Sequence, residues 1–130
     1  MIRLDYEASG GLEVFLSFED ERETLFGLLR MRIQGWPVPA LGMEPGGTLA
    51  LIRELHIFGP EVPLAEQRVD AAQHKGIGRA LLKEAERIAT NEFGAKRMLV
   101  LSGVGAREYY AEVGYRALGA YMVKELKQAD

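Results

Sequence analysis

The sequence predicts a mixed α/β domain, with a mostly antiparallel sheet and one parallel strand–helix–strand unit at its centre. Three observations predict it. Runs of strand-forming residues fill much of the first 58 positions. Apolar residues at helical spacing begin at Ile77, and a short apolar run follows at Met98–Leu101. At 130 residues, 48% of them apolar, the chain fits one domain spanning 1–130 with room for a core.

The elements follow in order. Leu12–Phe18 is rich in strand formers, Glu19–Glu23 is an acidic turn, and Thr24–Ile33 is a second strand that pairs with the first as a hairpin. Gln34–Thr48 holds three prolines and four glycines and is expected to be a loop. Leu49–Phe58 is a long strand, and Gly59–Ala72 is expected to be a second loop. Ile77, Leu81, Leu82, Ala85, Ile88 and Ala89 mark one face of a helix from about Gly76 to Glu92, closed by Gly94. Met98–Leu101 reads as a buried strand and Gly103–Gly105 as a turn. Ala106–Val113 is a short helix stopped at Gly114, and Tyr115–Leu126 holds one or two strands bent near Gly119.

Composition removes several classes of function. With no cysteine, the chain itself holds no disulfide, thiolate metal site, iron–sulfur cluster or cysteine nucleophile. No apolar run approaches the roughly 20 residues of a membrane span, and Met1–Asp5 lacks the apolar centre of a signal peptide. A soluble, cytoplasmic protein without a membrane partner or metal is expected. Net charge is −3 but uneven. Residues 1–72 hold 12 acids and 6 Lys/Arg, whereas 73–130 hold 7 acids and 10 Lys/Arg. A basic second half suits a polyanionic ligand such as a nucleotide cofactor or RNA.

Gln73-His74-Lys75-Gly76-Ile77-Gly78 precedes the amphipathic helix. The first turn of a helix presents unpaired N–H groups and a partial positive charge, so phosphate is favoured there. Gly76 and Gly78 leave the backbone open to it, and Lys75 and Arg79 add positive charge. The spacing Gln-x-x-Gly-x-Gly resembles the coenzyme A pyrophosphate loop of the GNAT acetyltransferases. Downstream, Tyr109-Tyr110-Ala111-Glu112-Val113-Gly114-Tyr115 is similar to the GNAT segment Phe-Tyr-Glu-Lys-Leu-Gly-Phe. That resemblance implies a GNAT acyl-CoA N-acyltransferase fold, with Tyr110 near the coenzyme sulfur as general acid and Tyr109 in the core. A phenol, with a reference pKa of about 10, is protonated at neutral pH and can supply the proton a thiolate leaving group needs.

The strand before the turn ends Arg53-Glu54-Leu55-His56-Ile57-Phe58. In GNAT domains the equivalent strand bonds the pantetheine through its main chain, and a bulge can expose an N–H for the acetyl oxygen. Leu55 and Ile57 are the candidates for main-chain contacts. Glu54 and His56 share a face by alternation, and either is a candidate catalytic base. His74 is expected to contact the cofactor rather than act as a catalyst.

Longer stretches narrow the match. Gly-Gly-Leu-Glu-Val-Phe-Leu-Ser-Phe-Glu-Asp, Arg-Glu-Leu-His-Ile-Phe-Gly, Gln-His-Lys-Gly-Ile-Gly-Arg and Ser-Gly-Val-Gly-Ala-Arg-Glu-Tyr-Tyr resemble the C-terminal acetyltransferase domain of the Elongator catalytic subunit. The family implies an enzyme of tRNA wobble-uridine modification, in which acetyl-CoA is a substrate and a radical-SAM domain is the working partner. Residue by residue, it implies cofactor contacts at Glu54, Leu55, His56, Ile57, Ala72, Gln73, His74 and Tyr110. These join the segment from Lys75 through Gly76, Ile77 and Gly78 to Arg79. The radical-SAM half and its cysteines are absent from this sequence. The chain is therefore expected to bind or hydrolyse acetyl-CoA, with tRNA engaged chiefly alongside the radical-SAM partner. The alternative is a free-standing lysine or small-amine N-acetyltransferase.

Overall fold

A computed structural model describes residues 1–22, 24–35, 47–58, 64–102 and 106–127, and over 64–75 the backbone alone. The first half is a meander of four strands: β1 (Ile2–Ala8), β2 (Gly11–Glu19), β3 (Leu25–Gln34) and β4 (Leu49–Ile57). Alternation sets their faces. Val14 and Leu16 of β2, Leu29, Met31 and Ile33 of β3, and Ala50 and Ile52 of β4 are all buried in one cluster. β1 was not among the expected strands. Ile2, Leu4 and Tyr6 alternate with Arg3, Asp5 and Glu7, but its first six residues are exposed, so the strand carries no core signature. Arg3 ties it to the rest of the molecule through Glu92, at 2.7 Å. Most of the expected Gln34–Thr48 loop, the first five residues of Gly59–Ala72 and the Gly103–Gly105 turn lie outside the described residues.

Helix α1 runs Leu64–Asn91, 28 residues. This corrects the expected start at Gly76. Residues 64–75 are rich in Ala, Leu, Glu, Gln and Arg and contain no Gly or Pro, so nothing in them stops a helix. Two interior glycines cost about 1 kcal/mol each relative to alanine, too little to break a helix anchored by a buried face. That face is Leu81, Leu82, Ala85, Ile88 and Ala89, each at most 2% exposed. The far end matches expectation. Gly94, at φ +67°, turns the chain, and Ala95 N–H bonds Ala89 C=O at 2.9 Å.

Then come β5 (Arg97–Leu101), the short helix α2 (Arg107–Glu112), β6 (Arg116–Leu118) and β7 (Tyr121–Glu125). Among the described residues, seven strands form one sheet ordered β1-β2-β3-β4-β5-β7-β6. The β4–β5 pair is parallel and the other described pairs are antiparallel. α1 covers one face, while Leu49, Leu99 and Val123 form a smaller cluster on the other.

The core rests on α1, so truncating Leu81, fully buried against β3, to alanine is expected to cost about 2–5 kcal/mol. The urea midpoint should fall with the slope of the transition unchanged.

Candidate functional site

The parallel pairing of β4 and β5 is short. It joins Ala50 to Met98, Leu51 to Leu99 and Ile52 to Val100, then stops. β4 continues to Ile57, bonded on its other side to β3. Among the described residues, the β5-facing edge of 53–57 has no strand partner. Backbone N–H and C=O groups along such an edge are ready to bond an extended ligand.

A bulge lies at the point of parting. Met31 pairs with Ile52 but Arg30 pairs with Glu54, so Arg53 is an extra residue. The bulge resets the alternation. Leu55 joins the core cluster on the α1 face, and Ile57 reaches α1. Glu54 and His56 therefore share the opposite face, as expected. Glu54 is held by Arg30 at 2.9 Å, and the exposed His56 packs its ring edge-on to Phe58, at 5.3 Å between centroids.

Gly76, Ile77, Gly78 and Arg79 lie inside α1 rather than at its first turn. The side chains of Ala72, Gln73, His74 and Lys75 fall outside the described residues. No described residue stands within 4 Å of a Cβ added at Gly76. At Gly78 an added Cβ would stand 2.9 Å from the Tyr109 hydroxyl and 3.4 Å from Ile57 Cδ1. Gly78 is thus small because Tyr109 fills its space. Arg79 points towards Glu112 of α2, 3.6 Å away.

The tyrosines depart from expectation. Tyr110 is the deeper of the pair, 6% exposed within the main core cluster, whereas Tyr109 packs at the rim of that cluster. Their rings meet edge to face at 5.3 Å, and Tyr110 meets Tyr115 the same way at 5.6 Å. Burial pushes the Tyr110 phenol up to about 12, so it stays protonated at physiological pH and can donate a proton. Burial also raises Tyr109.

Several structural residues escaped the sequence reading. An added Cβ at Gly27 would meet Ile77, Ile57 and Leu81 at 3.0–3.2 Å, so this glycine lets α1, β3 and β4 converge. A glycine inside an apolar strand is the available signal for such close approach. The other is a polar network. Tyr115 donates to Glu86 at 2.8 Å, and Lys124 donates to Glu86 at 2.9 Å and to Val113 C=O at 3.1 Å. Tyr115 N–H in turn bonds Tyr110 C=O at 3.0 Å, so the network fixes the end of α2 that carries Tyr110. Only the lone Lys124 in an apolar strand hinted at it.

Residues 69–126 match the family model of the acetyltransferase (GNAT) domain, taking in most of α1 and all of β5, α2, β6 and β7. The fold is that of a GNAT acetyltransferase. The chain is 55% identical over 124 residues to the tRNA uridine(34) acetyltransferase of Dehalococcoides mccartyi, covering 95% of this chain and 27% of that protein. It is 46% identical to Elongator complex protein 3 of Homo sapiens, covering 98% of this chain and 23% of that one. A solved archaeal structure, Methanocaldococcus infernus Elp3 with an N-terminal deletion, superposes with a TM-score of 0.75 at 46% identity, over 96% of this chain and 29% of that one. The chain is similar to the acetyltransferase region of the Elongator catalytic subunits and shares its GNAT fold. It spans about a quarter of the length of these curated relatives.

Because burial raises the Tyr110 phenol from 10 to about 12, the folded state holds a proton that the unfolded chain releases first. Stability is therefore fully present below about pH 10 and falls as pH rises towards 12. Urea midpoints measured across that interval should fall, and Tyr110→Phe should flatten part of the decline.

Proposed function

We propose that the chain is a single GNAT domain that binds acetyl-CoA and serves tRNA wobble-uridine modification, as the names of its relatives suggest. The observation that carries this reading is the edge of β4 beyond Ile52, which has no strand partner among the described residues and is flanked by the Gly76–Arg79 segment and by α2. The pantetheine arm would extend along that edge as an added strand, bonding main-chain groups of Glu54, Leu55, His56 and Ile57. The diphosphate would lie at Gly76–Gly78, with Arg79 beside it and residues 72–75 leading in.

The chemistry then follows from position. A nucleophile, water or an acceptor atom, adds to the thioester carbonyl. The carbonyl oxygen becomes an oxyanion, which a backbone N–H at the Arg53 bulge would receive. As the carbon–sulfur bond breaks, the thiolate takes a proton from the Tyr110 hydroxyl. Glu54 and His56, on the outer face of β4, are the two candidates to accept the proton of the nucleophile. Radical chemistry on the uridine would belong to a partner or domain carrying cysteines, since this sequence has none.

Phosphate binding asks something of α1. Inside a helix the N–H groups of residues 76–78 already bond carbonyls four residues back. They become free for phosphate only if the helix begins at Gly76. Acetyl-CoA is therefore expected to reduce the helical circular-dichroism signal as it binds.

Calorimetry tests the reading directly, with saturable heat expected for acetyl-CoA and competition by desulfo-CoA. Gly76→Asp is the discriminating variant, because no described residue stands where its side chain would enter and it adds a negative charge beside the diphosphate. It should weaken binding at least about tenfold, the equivalent of roughly 1.4 kcal/mol. Equal affinity in Gly76→Asp would move the phosphate elsewhere. Slow acetyl-CoA hydrolysis that accelerates with added tRNA would support the wobble-uridine role.

A further inference from the structure

Tyr109 is left without a task by the scheme above, and its hydroxyl is the odd feature of the site. It is buried and has no hydrogen-bond partner among the described residues. A buried hydroxyl left unpaired is destabilising, a cost the fold would avoid with a phenylalanine at this position. The hydroxyl also stands where the site converges. It faces the backbone of Gly78 from one side, and Ile57, the last residue of the unpaired β4 edge, touches the same point. The neighbouring Arg79 bears a half-exposed guanidinium, near enough to lower the Tyr109 phenol against the opposing effect of burial. Its ring is fixed edge-on against Tyr110, which in turn is fixed against Tyr115. A rigid donor, a cation and a glycine without a Cβ surround one corner.

We infer that the Tyr109 hydroxyl donates a hydrogen bond to a diphosphate oxygen of acetyl-CoA, placed there by its contact with Gly78. The inference rests on the acetyl-CoA reading above and adds to it a ligand contact absent from the sequence-based site. It also divides the tyrosine pair. Tyr110 serves the sulfur end of the cofactor and Tyr109 the phosphate end. Burial keeps Tyr109 protonated, so it meets the anion as a donor rather than as a second negative charge.

The test uses the chain as it stands, with Tyr109→Phe compared to wild type by two measurements. The first is the urea midpoint without ligand. Removing an unpaired hydroxyl should leave it unchanged or raise it, whereas a hydroxyl that holds the fold together would lower it and overturn the inference. The second is affinity. Tyr109→Phe should weaken acetyl-CoA about tenfold to a hundredfold, the range for a hydrogen bond to a charged acceptor. It should leave S-acetyl-pantetheine, which lacks the diphosphate and can be titrated by nuclear magnetic resonance, unaffected. Equal weakening of both ligands would place the contact on the pantetheine arm, and no weakening of either would reduce Tyr109 to packing; each overturns the inference. Absence of acetyl-CoA binding by the wild type would instead sink the reading on which it rests. A double variant adds a check. Gly78→Ala should destabilise the free protein through its 2.9 Å clash with the hydroxyl, and Tyr109→Phe should relieve part of that loss.

Discussion

The site depends on β4 losing its parallel partner beyond Ile52. One extra residue, Arg53, causes the strand to bend at that point. On the β3 side pairing resumes at once with Arg30 and Glu54, so β4 stays in the sheet. On the β5 side pairing does not resume among the described residues. A strand in the middle of a sheet thus acquires an edge, where backbone groups can serve a ligand without unfolding anything. The bulge also returns Leu55 and Ile57 to the α1 face, which keeps the core closed beneath the opening.

The opening needs rigid walls, and they come from packing rather than from the site residues themselves. Gly27 allows Ile57, Ile77 and Leu81 to meet over β3, which sets the distance between α1 and the sheet. The other wall, α2, is only six residues long and too short to be stable alone. It is held by its surroundings. Three tyrosine rings stack edge to face beneath it, Glu86 gathers Tyr115 and Lys124, and Arg107 bonds Gly119 C=O at 2.9 Å. Glu86 is a carboxylate with both oxygens satisfied and a cation beside it, the condition under which a half-buried charge is tolerated.

What the sequence revealed and what it hid follow from the range of the interactions concerned. β2, β3, β4, β5 and the body of α1 were legible because each buries one face, and burial writes a period of two or 3.6 into the residues. β1 has the same period of two in Ile2, Leu4 and Tyr6, but it is exposed on both faces and so marks no core. The bulge at Arg53 was foreseen only as a family habit. A one-residue register shift depends on the partner strand and has no local mark. Tyr109 and Tyr110 were recognised as a pair, yet which of them lies deeper could not be read from spacing. Adjacent helical residues point about 100° apart, and only the docking of α2 decides which direction is inward. Glu54 and His56 were correctly placed on one face, because the bulge precedes them both.

The start of α1 was misread, and the reason bears on function. Gly76 and Gly78 looked like the opening of a helix because glycine is a poor helix former, but the residues before them are good ones. Two tendencies compete for the same amides. Continuing the helix satisfies the N–H groups of 76–78 with carbonyls, at a gain per residue that is small because propagation is nearly balanced in water. Ending it at Gly76 leaves those groups to an anion, which gains charge-assisted bonds and the helix dipole. The glycines tip the balance. Gly76 subtracts about 1 kcal/mol from the continuous helix and little from one that begins at it, so a cheap place to interrupt α1 is also the place where phosphate would approach the backbone. Their value is therefore energetic as well as steric. At Gly76 no described residue stands within 4 Å of the place a side chain would take, so crowding among them does not explain the glycine, whereas the ease of ending the helix does.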